Sequence, residues 1–267
     1  MSGVWHVGVD IGGTFTDVVA VEHASGAVNH LKVPSSRRDP AGAVLRGLRA
    51  LRDEADVQPQ DLRLLLHGTT LATNAIIERR LARTALVTTE GFRDVLEIGR
   101  HWRTDLYDPF IPRPEPLVPR DLRFEVRERV GADGEVVQPL DLETVDKVVT
   151  QLRECGAEAV AVTFLHSYRN PRHEQEMAGL LRQTNGYLVC ASSELLRELK
   201  EYERTSTTVL NVALMPLIDE YLDRLESGLQ DAGSTASLFI IQSNGGALTP
   251  SAARSRPVSL ALSGPVG

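Results

Sequence analysis

At 267 residues, with 42% hydrophobic and 24% charged side chains, the chain has room for one large globular core or two small ones. Its 29 basic and 36 acidic residues leave a net charge of −7, which argues against the concentrated basic face of a nucleic-acid binder. Cys155 and Cys190 form no Cys-x-x-Cys pair, which argues against a disulfide framework or a zinc cluster and makes a reduced, cytoplasmic setting the default.

Met1 to His6 lacks a basic-then-apolar leader, and no apolar run is long enough to cross a bilayer. In chain order, strands are predicted over 4–10, 15–22 and 27–33, with Ser25-Gly26 as the turn between the second and third. Asp39-Pro40 opens an amphipathic helix to Ala55, with Val44, Leu45, Leu48 and Leu51 on one face. A strand over 62–66, a helix capped by Thr69 or Thr70 and running to Arg80, and a strand over 84–88 complete a first α/β core, 1–104. The order β-β-β-α-β-α-β predicts a mixed sheet with helices on its faces.

Residues 105–120 hold Pro109, Pro112, Pro114, Pro116 and Pro119, which bar both helix and central strand, so they read as an extended arm. A second α/β segment, 121–191, follows. It comprises a hairpin of 121–130 and 135–138 around Gly131–Gly134, a helix from Asp141 to Cys155 stopped by Gly156, a strand over 158–165, a helix over 171–184 and a strand over 187–191. From Ser192 a long helical region reaches about Leu229, and Pro216 should kink or break it. Strands over 237–241 and 257–262 lead into Gln242–Gly246 and Ser263–Gly267. An apolar strand ending in a glycine turn normally hands on to another element. Residues 192–267 are therefore expected to be the start of a region cut short, by truncation or by a split gene.

The richest motif is Val7-Gly-Val-Asp-Ile-Gly-Gly-Thr-Phe-Thr-Asp17. Two apolar runs joined by a Gly-Gly turn read as a tight hairpin. Glycine leaves backbone N–H groups open to an anion, threonine hydroxyls add donors, and Asp10 at the strand end can hold hydrated Mg²⁺. Gly12, Gly13, Thr14 and Thr16 are thus candidate contacts to the phosphates of ATP, though strand alternation should turn either Thr16 or Asp17 away.

His67-Gly68-Thr69-Thr70 lies between a strand and a helix start. His67 and Thr69 there read either as contacts to a phosphate or carboxylate, or as a strand end and a cap. Arg93, Asp94, Arg100 and Arg103 form a charged cluster that could clasp a substrate carboxylate, or could be a solvated face. Glu201, Glu203 and Arg204 have the spacing of helix-surface pairs. Ser243, Asn244, Gly245 and Gly246 follow a strand, where open α/β sheets bind ligands. His166 and His173 are a weak metal pair, and both cysteines read as buried small residues. No Gly-x-Ser-x-Gly, Walker A, His-Glu-x-x-His or Gly-x-Gly-x-x-Gly motif occurs, which disfavours serine hydrolases, P-loop ATPases, zincins and Rossmann dehydrogenases.

The Gly8–Asp17 stretch, His67–Asn74, Gly91–Arg100, Glu201–Thr205, Ser243–Gly246 and Ser263–Gly267 resemble, in order, the blocks of the hydantoinase A and 5-oxoprolinase family. The resemblance implies a ribonuclease-H-like fold of the actin, sugar-kinase and Hsp70 ATPase type. It also implies ATP and Mg²⁺ as cofactors, and opening of a hydantoin or lactam ring by phosphorylation of the amide oxygen. Relatives in this family also serve in ATP-dependent acetone and acetophenone carboxylases. A second large subunit of hydantoinase B type is the implied partner, with no nucleic acid and no membrane. The family's second Asp-Gly-Gly-Thr loop and adenosine segment are missing from this sequence, so the chain alone is expected to bind ATP weakly and to turn over little. The expected function is an ATP-dependent cyclic-amide hydrolase. A carboxylase nucleotide subunit and a non-enzymatic actin-like module are the alternatives.

Overall fold

The computed structural model describes residues 3–36, 38–100, 107–108, 110, 115–184 and 186–261. Arg103, Pro109, Pro112, Pro114, Leu262 and the closing Ser263–Gly267 lie outside the described residues. Two compact units are present: Met1–Arg80 with Leu214–Gly267, and Leu81–Ala213.

The first unit opens with β1 (Trp5–Ile11), β2 (Phe15–Glu22), β3 (Val28–Pro34), α1 (Pro40–Ala55), β4 (Leu62–Thr69) and α2 (Leu71–Ile77). The second holds β5 (Thr84–Thr89), α3 (Val95–Ile98), β6 (Arg123–Val126), β7 (Arg129–Val130), β8 (Val136–Gln138), α4 (Leu142–Glu154), β9 (Ala159–Thr163), α5 (Arg172–Gln183), β10 (Leu188–Ala191) and α6 (Ser192–Leu195). Helix α7 (Glu201–Asp231) begins in the second unit and passes at Leu214 into the first, which ends with β11 (Ser237–Ile241), β12 (Ala247–Leu248) and α8 (Pro250–Ser255).

The first sheet runs β12-β11-β4-β1-β2-β3. β1 pairs parallel with β4, and β4 parallel with β11, while β1–β2, β2–β3 and β11–β12 are antiparallel. The carboxyl ends of β1, β4 and β11 therefore share one edge. Alternation buries Val7, Val9 and Ile11 of β1 and Val18 and Ala20 of β2 on one face, where α1 packs. The Asp39 carboxylate caps α1 by accepting the Gly42 N–H at 2.9 Å, and Pro40 occupies the first turn. Gly47 lets α1 sit close to the sheet, since a Cβ there would come within 2.6 Å of Val18 Cγ2.

The second sheet, β10-β9-β5-β6, is wholly parallel. Every residue of β5 and β9 is buried, as strands covered on both faces should be. Val87, Val160, Val162 and Phe164 pack with Leu152 of α4 and Met177 and Leu181 of α5. Among the described residues, no helix is long and apolar enough to cross a membrane.

The mixed α/β class and the β-β-β-α-β-α order are as expected. Other expectations are corrected. The strand over 84–88 does not extend the first sheet; it joins the second, and β11 takes its place beside β4. β4 runs past 66 to Thr69, and α2 ends at Ile77 rather than Arg80; Thr70, one of the two expected caps, holds its cap position without a side-chain cap bond. The helical region from 192 is interrupted after α6, where Leu196 is extended and the Glu198 carbonyl is held by the Arg204 guanidinium at 2.9 Å. α7 runs unbroken through Pro216. The described part of the expected 257–262 strand is not a strand: Pro257–Leu260 forms a 3₁₀ turn, with Pro257 at its start.

Candidate functional site

The β1–β2 connection, Gly12 to Thr14, sits at the carboxyl edge of the first sheet. The Gly12 N–H donates to the Phe15 carbonyl at 3.0 Å, closing the turn, and a Cβ at Gly12 would lie 2.8 Å from that same oxygen. The position is therefore glycine for turn geometry, and its amide is committed. Gly13 and Thr14 are exposed, and nothing lies within 4 Å of where a Gly13 Cβ would be.

Parallel pairing sets Asp10 beside Gly68 and Ile11 beside Thr69, and this brings two separately read motifs together. A pocket of about 190 Å³ is lined by Gly12, Gly13, Thr69, Thr70, Leu71 and Asn74, together with Ser35, Ser36, Glu78 and Arg80. Thr69 Oγ1 accepts the Leu71 N–H at 3.2 Å. Thr70 Oγ1 accepts from Asn74 Nδ2 at 3.3 Å.

Asp10 carries the strongest sign of a ligand. Its Oδ1 is buried without a hydrogen-bond partner. Burial, then the charge of Asp17, raises its pKa above the ordinary carboxylate range. Asp17 is its cross-strand partner in the β1–β2 ladder, and like charges facing across a sheet repel. Asp17 is itself held by Lys32 at 3.1 Å and His30 at 3.3 Å. Gly68 makes the room: a Cβ there would fall 2.8 Å from Asp10 Oδ1. An orphaned anionic oxygen, a second carboxylate and a cleared space suit a hydrated divalent cation.

Thr16 is the residue that alternation turns away. It is fully buried, and its hydroxyl bonds that of Ser35 at 2.9 Å, so it supports a pocket-lining serine from below.

His67 lies beneath the pocket with 0% exposure. Its Nδ1 is 3.1 Å from the Val9 carbonyl, an acceptor, so Nδ1 carries the proton and Nε2 accepts from the Tyr221 hydroxyl of α7. Burial drives the His67 pKa down to about 4, and burial raises that of Tyr221. The unfolded chain binds a proton at His67 near pH 6.5, whereas the fold rejects it until about pH 4. Stability is therefore expected to fall as pH drops through that window, by about 3 kcal/mol in all from this residue. Urea unfolding at pH 7 and pH 4.5 checks this. His67→Asn should lose that share of the pH dependence, and an equal loss in both proteins would rule it out.

Ser243 to Gly246 cap β11 on the same edge, one strand beyond β4. They do not line the pocket. The Ser243 N–H and hydroxyl both donate to the Ser259 carbonyl, at 2.9 and 3.0 Å, and the Gly246 N–H donates to Asn244 Oδ1 at 2.9 Å.

The charged cluster belongs to the second unit and is knitted into ion pairs there. Arg93 faces Glu125 at 3.6 Å, Asp94 faces Arg120 at 3.0 Å, and Arg100 faces Glu203 at 2.6 Å. The hydrogen bond from Arg120 holds the Asp94 pKa low. His166 Nδ1 bonds the Val130 carbonyl at 2.8 Å and His173 Nδ1 bonds Glu128 at 2.7 Å, so each ring serves a separate structural bond. Burial pushes the Cys190 thiol up to about 11, which suits a core residue and not a nucleophile.

Ser35, Ser36, Glu78, Arg80 and Tyr221 were not legible as site residues. Ser35 had a signal, because the β2–β3 register sets Phe15 opposite Pro34 and so brings Ser35 back to Thr14. Tyr221 had one too: it falls on the apolar stripe of α7 with Leu214, Ile218 and Leu225, and a buried tyrosine hydroxyl needs a partner.

The caprolactamase subunit alpha of Pseudomonas jessenii is 35% identical over 268 residues, covering 98% of this chain and 38% of that protein. The crystal structure of ATP-dependent caprolactamase from that organism matches with a TM-score of 0.89 at 35% identity, over 98% of this chain and 39% of the other. The acetophenone carboxylase gamma subunit of Aromatoleum aromaticum is 32% identical over 90% of this chain and 35% of that protein. The 5-oxoprolinase 1 of Arabidopsis thaliana is 32% identical over 97% of this chain and 22% of that protein. The chain thus spans well under half the length of these relatives. The hydantoinase/oxoprolinase N-terminal region model matches residues 6–185, and the hydantoinase/oxoprolinase model matches 204–267. With both models matched in sequence, and with this mixed sheet and edge, the chain belongs to the hydantoinase/oxoprolinase family.

Proposed function

We propose that the chain carries the phosphate-binding part of an ATP-dependent enzyme that opens a small cyclic amide of hydantoin or 5-oxoproline type. The observation that carries this reading is the buried, unpartnered Oδ1 of Asp10 next to the Gly12–Thr14 turn. In this reading the Asp10 carboxylate orients hydrated Mg²⁺. Magnesium, when bound, would neutralise charge on the phosphates. The Gly13 and Thr14 amides and the hydroxyls of Ser35, Ser36, Thr69 and Thr70 meet phosphate oxygens. Thr16 steadies Ser35, and His67 with Tyr221 holds β1 against β4 so that Gly68 stays clear of Asp10. ATP would transfer its terminal phosphoryl group to the ring amide oxygen and leave as ADP. Water would add to that carbon, the C–N bond would break with the proton going to the departing nitrogen, and a second water would hydrolyse the resulting acyl phosphate to carboxylate and phosphate. Donors fixed before the reaction lower its barrier because they need no reorganisation as charge develops.

Support comes from the relatives, whose printed names include a caprolactamase and a 5-oxoprolinase. Names such as subunit alpha and gamma subunit support a multi-subunit assembly, and the proposal adds a second large subunit of hydantoinase B type and a cytoplasmic setting. The acetophenone carboxylase match supports one alternative, a nucleotide-handling subunit for ketone carboxylation. Phosphate release by the full-length, assembled protein decides. Release that requires a hydantoin or 5-oxoproline is the expected result. A requirement for ketone plus bicarbonate would replace this reading with the alternative, and release with neither would favour an actin-like binding module.

A further inference from the structure

Beside the phosphate pocket lies a larger groove of about 550 Å³, bounded by the start of α1, by α2 and by α7. Pro40, Leu71, Glu78 and Arg80 line both, so the two cavities share a wall. Leu71, Ala75, Leu217 and the Tyr221 ring give the groove an apolar lining. Its volume falls in the range of small-molecule sites, which are mostly apolar with a few polar groups that fix orientation.

The charges at its rim are largely spent on each other. Arg80 pairs with Glu78, and Arg224 pairs with Glu220 at 2.7 Å. Asp39 caps the Gly42 N–H at 2.9 Å and faces Arg46 at 3.7 Å. Arg38 is the remaining cation of the lining, and among the described residues no ion pair to it is recorded. An apolar slot with one uncommitted guanidinium at its mouth selects a small ring or chain that carries a single carboxylate.

We propose that this groove binds the acyl substrate, a small cyclic amide with an apolar body and a carboxylate held by Arg38, its ring directed toward the wall shared with the phosphate pocket. The inference rests on the phosphate reading above and adds to it the place of the second reactant and its charge. It separates two amide classes that the relatives leave open, lactams with a carboxylate and lactams without one.

The test is methyl and amide NMR on the chain itself, with 5-oxoproline, 2-pyrrolidinone (the same ring without the carboxylate) and magnesium pyrophosphate as separate probes. 5-Oxoproline should move the methyl signals of Leu71, Ala75 and Leu217, and should bind about fivefold more tightly than 2-pyrrolidinone, as one exposed charge contact allows. Arg38→Ala should erase that difference. Leu217→Trp, folded by its amide spectrum, should abolish both lactam responses yet keep the pyrophosphate response. Equal affinity for the two lactams, indifference to Arg38→Ala, or no methyl shift with either lactam would overturn the proposal. If pyrophosphate leaves the Gly13 and Thr14 amides unmoved, the phosphate reading itself fails, which is a separate outcome.

Discussion

Asp10→Asn is expected to make the protein more stable and to abolish the proposed phosphate release in the full-length assembly. The ionised carboxylate has one oxygen buried without a partner, and burial together with Asp17 raises its pKa. A raised carboxyl pKa means the fold prefers the neutral form. Ionisation thus costs stability as pH rises from the ordinary carboxylate range through the raised value. The amide carries no such charge. Its advantage should be present at pH 7, of the order of 1–3 °C in Tm, and should disappear on acidification. Substrate-dependent phosphate release should fall by about 100-fold or more, the usual cost of losing one charge-stabilising group. Gly68→Ala supplies the control, since it keeps the carboxylate but sets a methyl 2.8 Å from its Oδ1. It should also lose activity, and should be less stable by about 1–3 kcal/mol because the cleared space is filled. An Asp10→Asn protein that hydrolyses ATP at the normal rate would remove the basis of the proposed site.

Arg204→Met is expected to give the largest stability loss of any single change considered. The Arg204 side chain is 0% exposed. Its guanidinium donates to the Phe164 carbonyl at 2.8 Å and to the Glu198 carbonyl at 2.9 Å, and it lies 5.6 Å from the Tyr168 ring centre. Burial lowers its pKa, and the nearby Glu174 charge works against that shift. Glu174 accepts from the Phe164 N–H, Ser192 Oγ and the Ser193 N–H, so Arg204 belongs to a buried polar network joining β9, α5, α6 and α7. Methionine fills much of the volume but leaves two carbonyls and a carboxylate without their cation. The expected cost is about 3–5 kcal/mol in urea unfolding. A loss below about 1 kcal/mol would mean the side chain is solvated, as helix spacing alone suggested.

That contrast marks where sequence reasoning stopped. The Asp10–Thr14 turn was legible because its chemistry is local: two apolar runs, two glycines and an acid within one hairpin. The meeting of that turn with Thr69 and Thr70 was not, because it depends on the parallel register of β1 and β4. Ser35 required the β2–β3 register as well. Thr84–Thr89 and Ser237–Ile241 are both short apolar strands with nearly the same local signature, and only pairing decides which lies beside β4. Glu203 and Arg204 look alike as helix-surface charges, yet one is partly exposed and bonded to Arg100 while the other is sealed in the core. A helical repeat says which side chains share a face, and burial depends on what that face meets.

The route of the chain has a consequence for biosynthesis. His67 of β4 pairs with Ile240 of β11, about 170 residues later, and the second unit is encoded between them as one uninterrupted stretch. At ribosomal speeds of about 5–20 residues per second, β4 leaves the exit tunnel roughly ten to thirty seconds before the strand that completes the first sheet, and the inserted unit emerges in between. Through that interval the β4 edge stays unpaired on the side where β11 will dock, a template for stray strands and a natural client for chaperones. The edge that carries the proposed phosphate site is therefore among the last parts of the nascent polypeptide to mature, although its leading motif is among the first to be translated.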